Sequence, residues 1–162
     1  MDVILVDRND KRIGKEEKIR AHQKGRLHRA FSILVFNSKG ETMLQRRALS
    51  KYHSPGLWTN TCCSHPRLSY NLKKQAEKRL KEEMGISCPL KEVFTFKYKA
   101  KLGNLIEHEF DHVFMGKFEG RANPNKKEVD DWKWISLPEL KKDMKKNPQK
   151  YTPWFKIILD RI

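Results

Sequence analysis

The hydrophobic positions of this chain fall into short runs and one period of four. Val3-Ile4-Leu5-Val6 and Ile33-Leu34-Val35-Phe36 are its longest apolar segments. They predict a strand over Val3–Val6, closed by the polar turn Asp7-Arg8-Asn9-Asp10, and a fully buried strand over Phe31–Phe36. Thr42–Arg47 follows across Asn37-Ser38-Lys39-Gly40-Glu41, which predicts a hairpin with the preceding strand. From Asn71 to Met84 the apolar residues Leu72, Ala76, Leu80 and Met84 recur every fourth position, and Gly85 stands where a helix ends in a left-handed residue. On that helix Arg79 and Glu83 share a face beside the apolar stripe. Phe94, Phe96 and Tyr98 alternate, and so does Glu107–Phe114, with Glu107, Glu109, Asp111 and Val113 on one face and His108, Phe110, His112 and Phe114 on the other. Trp132 and Trp134 mark a further strand, Ser136 starts a helix, and Tyr151–Ile162 reads as an amphipathic helix. The pattern predicts an α+β sandwich with helices on the faces of a mixed sheet.

Composition narrows the function. With 35 Lys+Arg against 20 Asp+Glu in 162 residues, the net charge is +15, which implies an anionic partner: nucleic acid, an acidic membrane or a phosphorylated small molecule. Lys and Arg are scattered over every element, including the lysine-dense Lys141–Lys150, rather than gathered on one face with stacking aromatics, so nucleic acid is not the expected partner. No apolar run approaches the ~18 residues that span a bilayer, and the N-terminal run lacks the basic flank and cleavage site of a signal peptide. A cytoplasmic protein without membrane contact is expected. The three cysteines, Cys62, Cys63 and Cys88, are too few and too oddly placed for a disulfide framework and read as free thiols. Nothing marks a domain boundary, so residues 1–162 read as one domain.

Chemistry-bearing residues cluster in four places: His22 and His28 ahead of the first core strand, the run Trp58–Pro66, the helix with Arg79 and Glu83, and Glu107-His108-Glu109. His22, His28, His65, Glu107 and Glu109 together form a ligand inventory for a divalent ion, suited to zinc, manganese or iron. Each alone has a bland reading as a core histidine or a solvated acid, and the metal reading requires that all five converge. Cys62 is expected to pack away from Cys63. Cys88 reads as structural, and His53, His108 and His112 as surface or core histidines.

The string Leu57-Trp58-Thr59-Asn60-Thr61-Cys62-Cys63-Ser64-His65-Pro66 closely resembles the active-site cysteine motif of type 1 isopentenyl-diphosphate Delta-isomerases, members of the Nudix superfamily. Leu5-Val6-Asp7, Glu17-Lys18 with His22, Arg26-Leu27-His28-Arg29-Ala30-Phe31-Ser32, Arg46-Arg47-Ala48-Leu49-Ser50-Lys51, Glu107-His108-Glu109 and Thr152-Pro153-Trp154 fall in that family's order, so the resemblance runs from Val3 to Trp154. It implies a Nudix-like α/β/α sandwich with a mixed central sheet. It also implies Cys63 as the catalytic thiol, Glu109 as its opposite-face partner and Tyr98 hydrogen-bonded beside that carboxylate. His22, His28, His65, Glu107 and Glu109 would hold one divalent metal, Mn2+ or Zn2+. Mg2+ would enter with the substrate diphosphate, held by Glu83 and the Cys63 carbonyl. Lys18, Arg47, Lys51 and Arg79 would bind the diphosphate, with Trp154 also at the substrate, in a monomer or weak homodimer. The interval from His22 to His28 is one residue shorter than in bacterial members of the family.

The implied reaction asks for such groups. Shifting a double bond between isopentenyl and dimethylallyl diphosphate adds one proton to an alkene and removes another through a tertiary cation, which calls for a dry site. Trp58 or Trp154 would face that cation, and a thiol with an ordinary pKa of ~8.5 needs only a modest shift to act as base. A Nudix-type diphosphate hydrolase is the nearest rival, because Leu80-Lys81-Glu82-Glu83-Met84-Gly85-Ile86 looks like the tail of the Nudix box. Aligned on Gly85, however, the box's first Gly falls on Ser64, its first Glu on Tyr70 and its Arg-Glu pair on Lys78-Arg79. An arginine at 79 suits an enzyme that grips diphosphate and leaves it intact.

Overall fold

The computed structural model describes residues 1–68 and 71–162, so Tyr70 lies outside the described residues. In chain order the elements are β1 (Asp2–Val6), β2 (Arg12–Glu17), α1 (Lys18–Lys24), β3 (His28–Phe36), β4 (Glu41–Arg47), β5 (Trp58–Thr59), β6 (Cys62–Ser64), α2 (Leu72–Met84), β7 (Leu90–Leu102), β8 (Leu105–Lys117), β9 (Val129–Ser136), α3 (Leu137–Lys146) and α4 (Pro153–Leu159). The strands form one mixed sheet around β3. One edge of β3 runs parallel to β8 from His28↔Glu109 to Phe36↔Lys117. The other edge is shared by β1 at His28, β6 at Phe31–Ile33 and β4 at Phe36.

Because side chains alternate across a strand, β3 feeds two cores. Phe31, Ile33 and Val35 pack with Ala76, Leu80 and Met84 of α2, whereas Leu34 packs with Leu140 of α3 and Trp154, Phe155 and Ile158 of α4. This is the sandwich the pattern predicts. Cys62 joins the first core and Cys63 the second, so the adjacent thiols point apart. Asn71 caps α2 by accepting from the Lys74 N–H at 3.1 Å. Gly85 ends it at φ 68°, where a Cβ would also meet the Asn123 carbonyl oxygen at 2.3 Å.

Two expectations are corrected, and four elements arise that the pattern does not announce. The β3–β4 hairpin pairs only at Phe36↔Thr42 and then splays. Thr61 fills the gap: its hydroxyl accepts from the Val35 N–H at 2.9 Å and donates to the Met43 carbonyl at 2.6 Å. That opening admits β6, and with it Cys63. The final helix is shorter than Tyr151–Ile162, because Pro153 fixes its first turn and Tyr151 instead bridges to Trp58. Finally, β2, α1, β5 and β6 have no periodic signal, and the only apolar side chain in the interior of β2, Ile13, is exposed. No helix among the described residues is long and apolar enough to cross a membrane.

Candidate active site

The parallel register of β3 and β8 sets His28 opposite Glu109. Along β8 the alternation turns Glu107, Glu109 and Asp111 inward, all nearly fully buried. The other face behaves as the bland reading expects: His108 sits 3.0 Å from the Gly25 carbonyl oxygen, and His112 bridges Glu92 and Asp10. β7 delivers Tyr98, whose hydroxyl lies 2.9 Å from Glu107 Oε2 and 3.0 Å from Glu109 Oε1, tying the two acids together. Burial, then Glu109 and Glu107, push the tyrosine well above its ordinary pKa, so it stays a donor.

Four imidazoles converge on these acids. Gly25 ends α1 in the left-handed region at φ 66° and returns the chain, so the short interval still brings the His22 and His28 rings within 4.8 Å. His22 Nδ1 is 2.7 Å from the Lys18 carbonyl and His28 Nδ1 is 2.9 Å from that of Arg26. A carbonyl only accepts, so both Nδ1 atoms carry a proton and both Nε2 atoms face the acids; burial works against charge on His22, but the contact with Glu107 outweighs it and raises its pKa. His65, just past β6, places Nε2 2.8 Å from Glu109 Oε2 and 3.3 Å from His28 Nε2. His22 Nε2 lies 3.2 Å from Glu107 Oε1. The fourth ring is His53, which the sequence reading set aside. It is buried on the β4–β5 loop with Nε2 3.0 Å from the same Glu107 oxygen. No periodicity marks a loop histidine, so nothing in the pattern of the chain singles it out.

Burial works against charge on both acids. For Glu107, contacts with His22 and His53 outweigh it and hold the carboxyl well below its usual range; for Glu109, His28 and His65 outweigh burial and the repulsion of Glu107. Both are carboxylates at neutral pH. Burial lowers His65 to about 4, leaving it neutral. Neutral imidazoles and ionised carboxylates are the ligand states a divalent ion requires. The donors fit such an ion on a further ground: His22 Nε2 and Glu107 Oε1 are buried without a hydrogen-bond partner. The five expected ligands do not fall into one group: the described residues form two ligand groups that share His22, one with His28, His65 and Glu109 and the other with His53 and Glu107.

These groups border a cavity also lined by Lys18, Arg47, Lys51, Arg79, Cys63, Trp154, Ala30 and Ser32. Cys63 reaches it from β6 on one edge of β3 and Glu109 from β8 on the other, and the small Ala30 and Ser32 leave room between them. Burial pushes the Cys63 thiol up to about 12, with Arg47 pulling the other way. It is therefore a thiol at neutral pH, contrary to the modest shift anticipated from the sequence. Trp154 lines the cavity, with the Arg47 guanidinium 5.4 Å from its ring centre. Its Nε1–H donates to Asn60 Oδ1 at 3.1 Å, and Thr152 and Thr59 join hydroxyls at 2.7 Å beside it. Trp58 does not line the cavity, and Lys133 and Arg46 cover its ring at 4.4 and 5.7 Å, which removes it as a cation-facing group. Glu83 lies beneath, accepting from Gln45 Nε2 at 2.8 Å and from Arg79 at 2.9 Å, so both its oxygens are occupied by protein donors.

A model of the NUDIX domain family matches residues 26–155. The structure of DR0079 from Deinococcus radiodurans superposes with a TM-score of 0.83 at 13 % identity, over 99 % of this chain and 98 % of that one. The MutT protein from Methanosarcina mazei Go1 gives 0.68 at 20 % identity, over 83 % and 91 %. Such identities speak for the fold alone, and sheet, helix α2 and cavity together define a NUDIX-domain protein. The sequence relatives are narrower in kind. Isopentenyl-diphosphate Delta-isomerase 2 from Aromatoleum aromaticum is 55 % identical over 161 residues, 99 % of this chain and 85 % of the relative. Isopentenyl-diphosphate Delta-isomerase from Serratia proteamaculans is 49 % identical over 158 residues, 97 % and 88 %. The chain belongs to the isopentenyl-diphosphate Delta-isomerase family.

Proposed function

We propose that this chain interconverts isopentenyl and dimethylallyl diphosphate, with Cys63 and Glu109 handling the two protons from opposite sides of the substrate. The observation that carries the reading is that a half-buried thiol and a buried, Tyr98-bound carboxylate enter one cavity from opposite edges of β3. In the free chain the sulfur holds a proton and Glu109 does not. One loaded and one empty group is the state an allylic shift needs, since one proton is added and one removed, with no net change. By microscopic reversibility, the group that donates in one direction accepts in the other. The cation must be kept from water, which would capture it, and the face of Trp154 adds about 1–2 kcal/mol of stabilisation to it.

Lys18, Arg47, Lys51 and Arg79 bind the diphosphate and leave it intact. His22, His28, His65, Glu107 and Glu109 hold one divalent ion, and their mixed nitrogen and oxygen character suits Zn2+ or Mn2+. Such an ion, when bound, withdraws electron density from the carboxylate it touches and strengthens the acid. Mg2+ would accompany the substrate diphosphate, with Glu83 and the Cys63 carbonyl as the groups that would hold it; Glu83 is engaged by Gln45 and Arg79, and none of the proton chemistry is assigned to it. The direct test incubates the protein with isopentenyl diphosphate and Mg2+ and measures dimethylallyl diphosphate and released phosphate together. The allylic isomer without phosphate is the expected result, and phosphate without the isomer would mark a hydrolase instead.

A further inference from the structure

His53 has no place in the ligand set that the sequence resemblance implies, yet its surroundings are those of a ligand. Its ring is 8 % exposed and stacks on His22 at 5.7 Å with 22° between the planes, while Tyr52 and Trp154 close against it edge-on at 4.5 and 5.9 Å. A hydrogen bond does not account for its approach to Glu107. Oε1 of that residue is buried and accepts from no one, although His53 Nε2 at 3.0 Å and His22 Nε2 at 3.2 Å both face it. Neither ring aims an N–H along the line to the oxygen. By contrast, His65 and Glu109 do form a hydrogen bond, at 2.8 Å. Two nitrogens and an oxygen, mutually close and with no proton aligned between them, are arranged as neighbouring ligands are. Bonds of about 2.1 Å to a first-row divalent ion put adjacent ligand atoms roughly 3 Å apart.

The loop is shaped to hold the ring there. Ser54 sits in the left-handed region at φ 48° and Gly56 at φ 72°, in the loop whose Lys51 and His53 line the cavity. A non-glycine residue in that region costs about 1 kcal/mol or more and persists only where the surroundings enforce it. The His53 carbonyl accepts from Arg47 at 3.3 Å, and Lys51 lies two residues earlier.

We propose that His53 is an additional metal ligand, supplied by the β4–β5 loop, which joins His22 and Glu107 so that loading the ion fastens the loop over the substrate cavity. The proposal rests on the metal reading of the His/Glu cluster given above. Metal occupancy and diphosphate binding are then coupled, because the fastened segment carries Lys51 and anchors Arg47.

The test titrates metal-free protein with Co2+ and follows two signals, the visible absorption of the bound ion and trypsin cleavage after Lys51. Wild type is compared with His53→Ala, His53→Gln and His65→Ala. The expected result is a Co2+ affinity at least about tenfold lower in both His53 variants, an altered visible spectrum, and loss of the Co2+-dependent protection that wild type shows at Lys51. If His53→Ala does not fold, as judged by circular dichroism, His53→Gln decides. Wild-type affinity, spectrum and protection in the folded His53 variants overturn the proposal. His65→Ala separates the two levels: loss of Co2+ there with no change at His53 rejects only the loop ligand, whereas unchanged Co2+ binding at His65→Ala rejects the metal reading itself.

Discussion

Lys18 and Arg47 line the same cavity as Lys51 and Arg79, and the two pairs sit in opposite electrostatic situations. Arg79 is 2.9 Å from Glu83 and 3.3 Å from Glu128, and Lys51 also contacts Glu128. Lys18 and Arg47 are ion-paired to no carboxylate among the described residues: Lys18 lies 4.9 Å from the ring centre of Tyr52, and the Arg47 guanidinium lies 5.4 Å from that of Trp154 and donates to the His53 carbonyl. Burial, then Lys51 and Arg47, lower the Lys18 pKa, so the ammonium is under strain as a cation. Keeping a buried charge unpaired costs on the order of a few kcal/mol. A fold that tolerates this has an external anion in view, and the diphosphate is the anion this family handles. The paired cations on α2 and the loop are held in place by protein acids, so they shape the anion site more than they drive binding.

The proton-handling groups stand between these two regions, and removing them gives the largest effects. Cys63→Ala is expected to lower kcat about a thousandfold or more with the fold intact, checked by turnover together with circular dichroism; near wild-type turnover would remove the thiol from the mechanism. Glu109→Gln is expected to lower kcat by at least about a hundredfold and to weaken metal retention as well, measured by metal analysis after dialysis. The contrast between the cation pairs is tested by KM. Arg47→Ala should raise it about thirtyfold, the equivalent of ~2 kcal/mol for a charged hydrogen bond without a protein substitute, and Arg79→Ala only about fivefold. Equal effects, or a pure kcat defect at Arg79, would erase the distinction.

A separate prediction concerns stability rather than turnover. His65 is lowered to about 4 by burial, against 6.5 when exposed. Between those values the unfolded chain binds a proton that the folded chain refuses, so this stabilisation is complete above pH 6.5 and is lost as pH falls toward 4. It amounts to about 3 kcal/mol at most. Urea titrations of metal-free protein across that window should show the loss, and His65→Asn should flatten it.

How much of this was legible in the sequence follows from where each signal comes from. The helix at Leu72–Met84 and the alternation of Glu107, Glu109 and Asp111 are local patterns, and the structure keeps both. The proposed site residues were legible through the family resemblance as a whole, which rests on the Cys63 string, the Glu-x-Glu and the separate pieces that carry Lys18, His22, His28, Arg47, Lys51 and Trp154. What was not legible is tertiary. The β3–β4 hairpin is undone by Thr61, which sits 26 residues beyond Val35 in the chain. The thiol's high pKa arises from burial that no neighbour in sequence causes. Trp58 is excluded by cations from β4 and β9, and His53 enters the cavity by a turn at Ser54 with no periodic signature.

The clasp between Thr59, Asn60, Thr152 and Trp154 has a consequence for biosynthesis. Cys63 is translated in the first half of the chain, but the segment that carries it is pinned by residues made some ninety positions later. Likewise β3, apolar on both faces, waits for β8, since Phe31 pairs with His112. A nascent chain therefore carries an unpaired, aggregation-prone central strand and an exposed thiol through most of its synthesis. Until Trp154 is made and packs, the Cys63 segment lacks the clasp that fixes it.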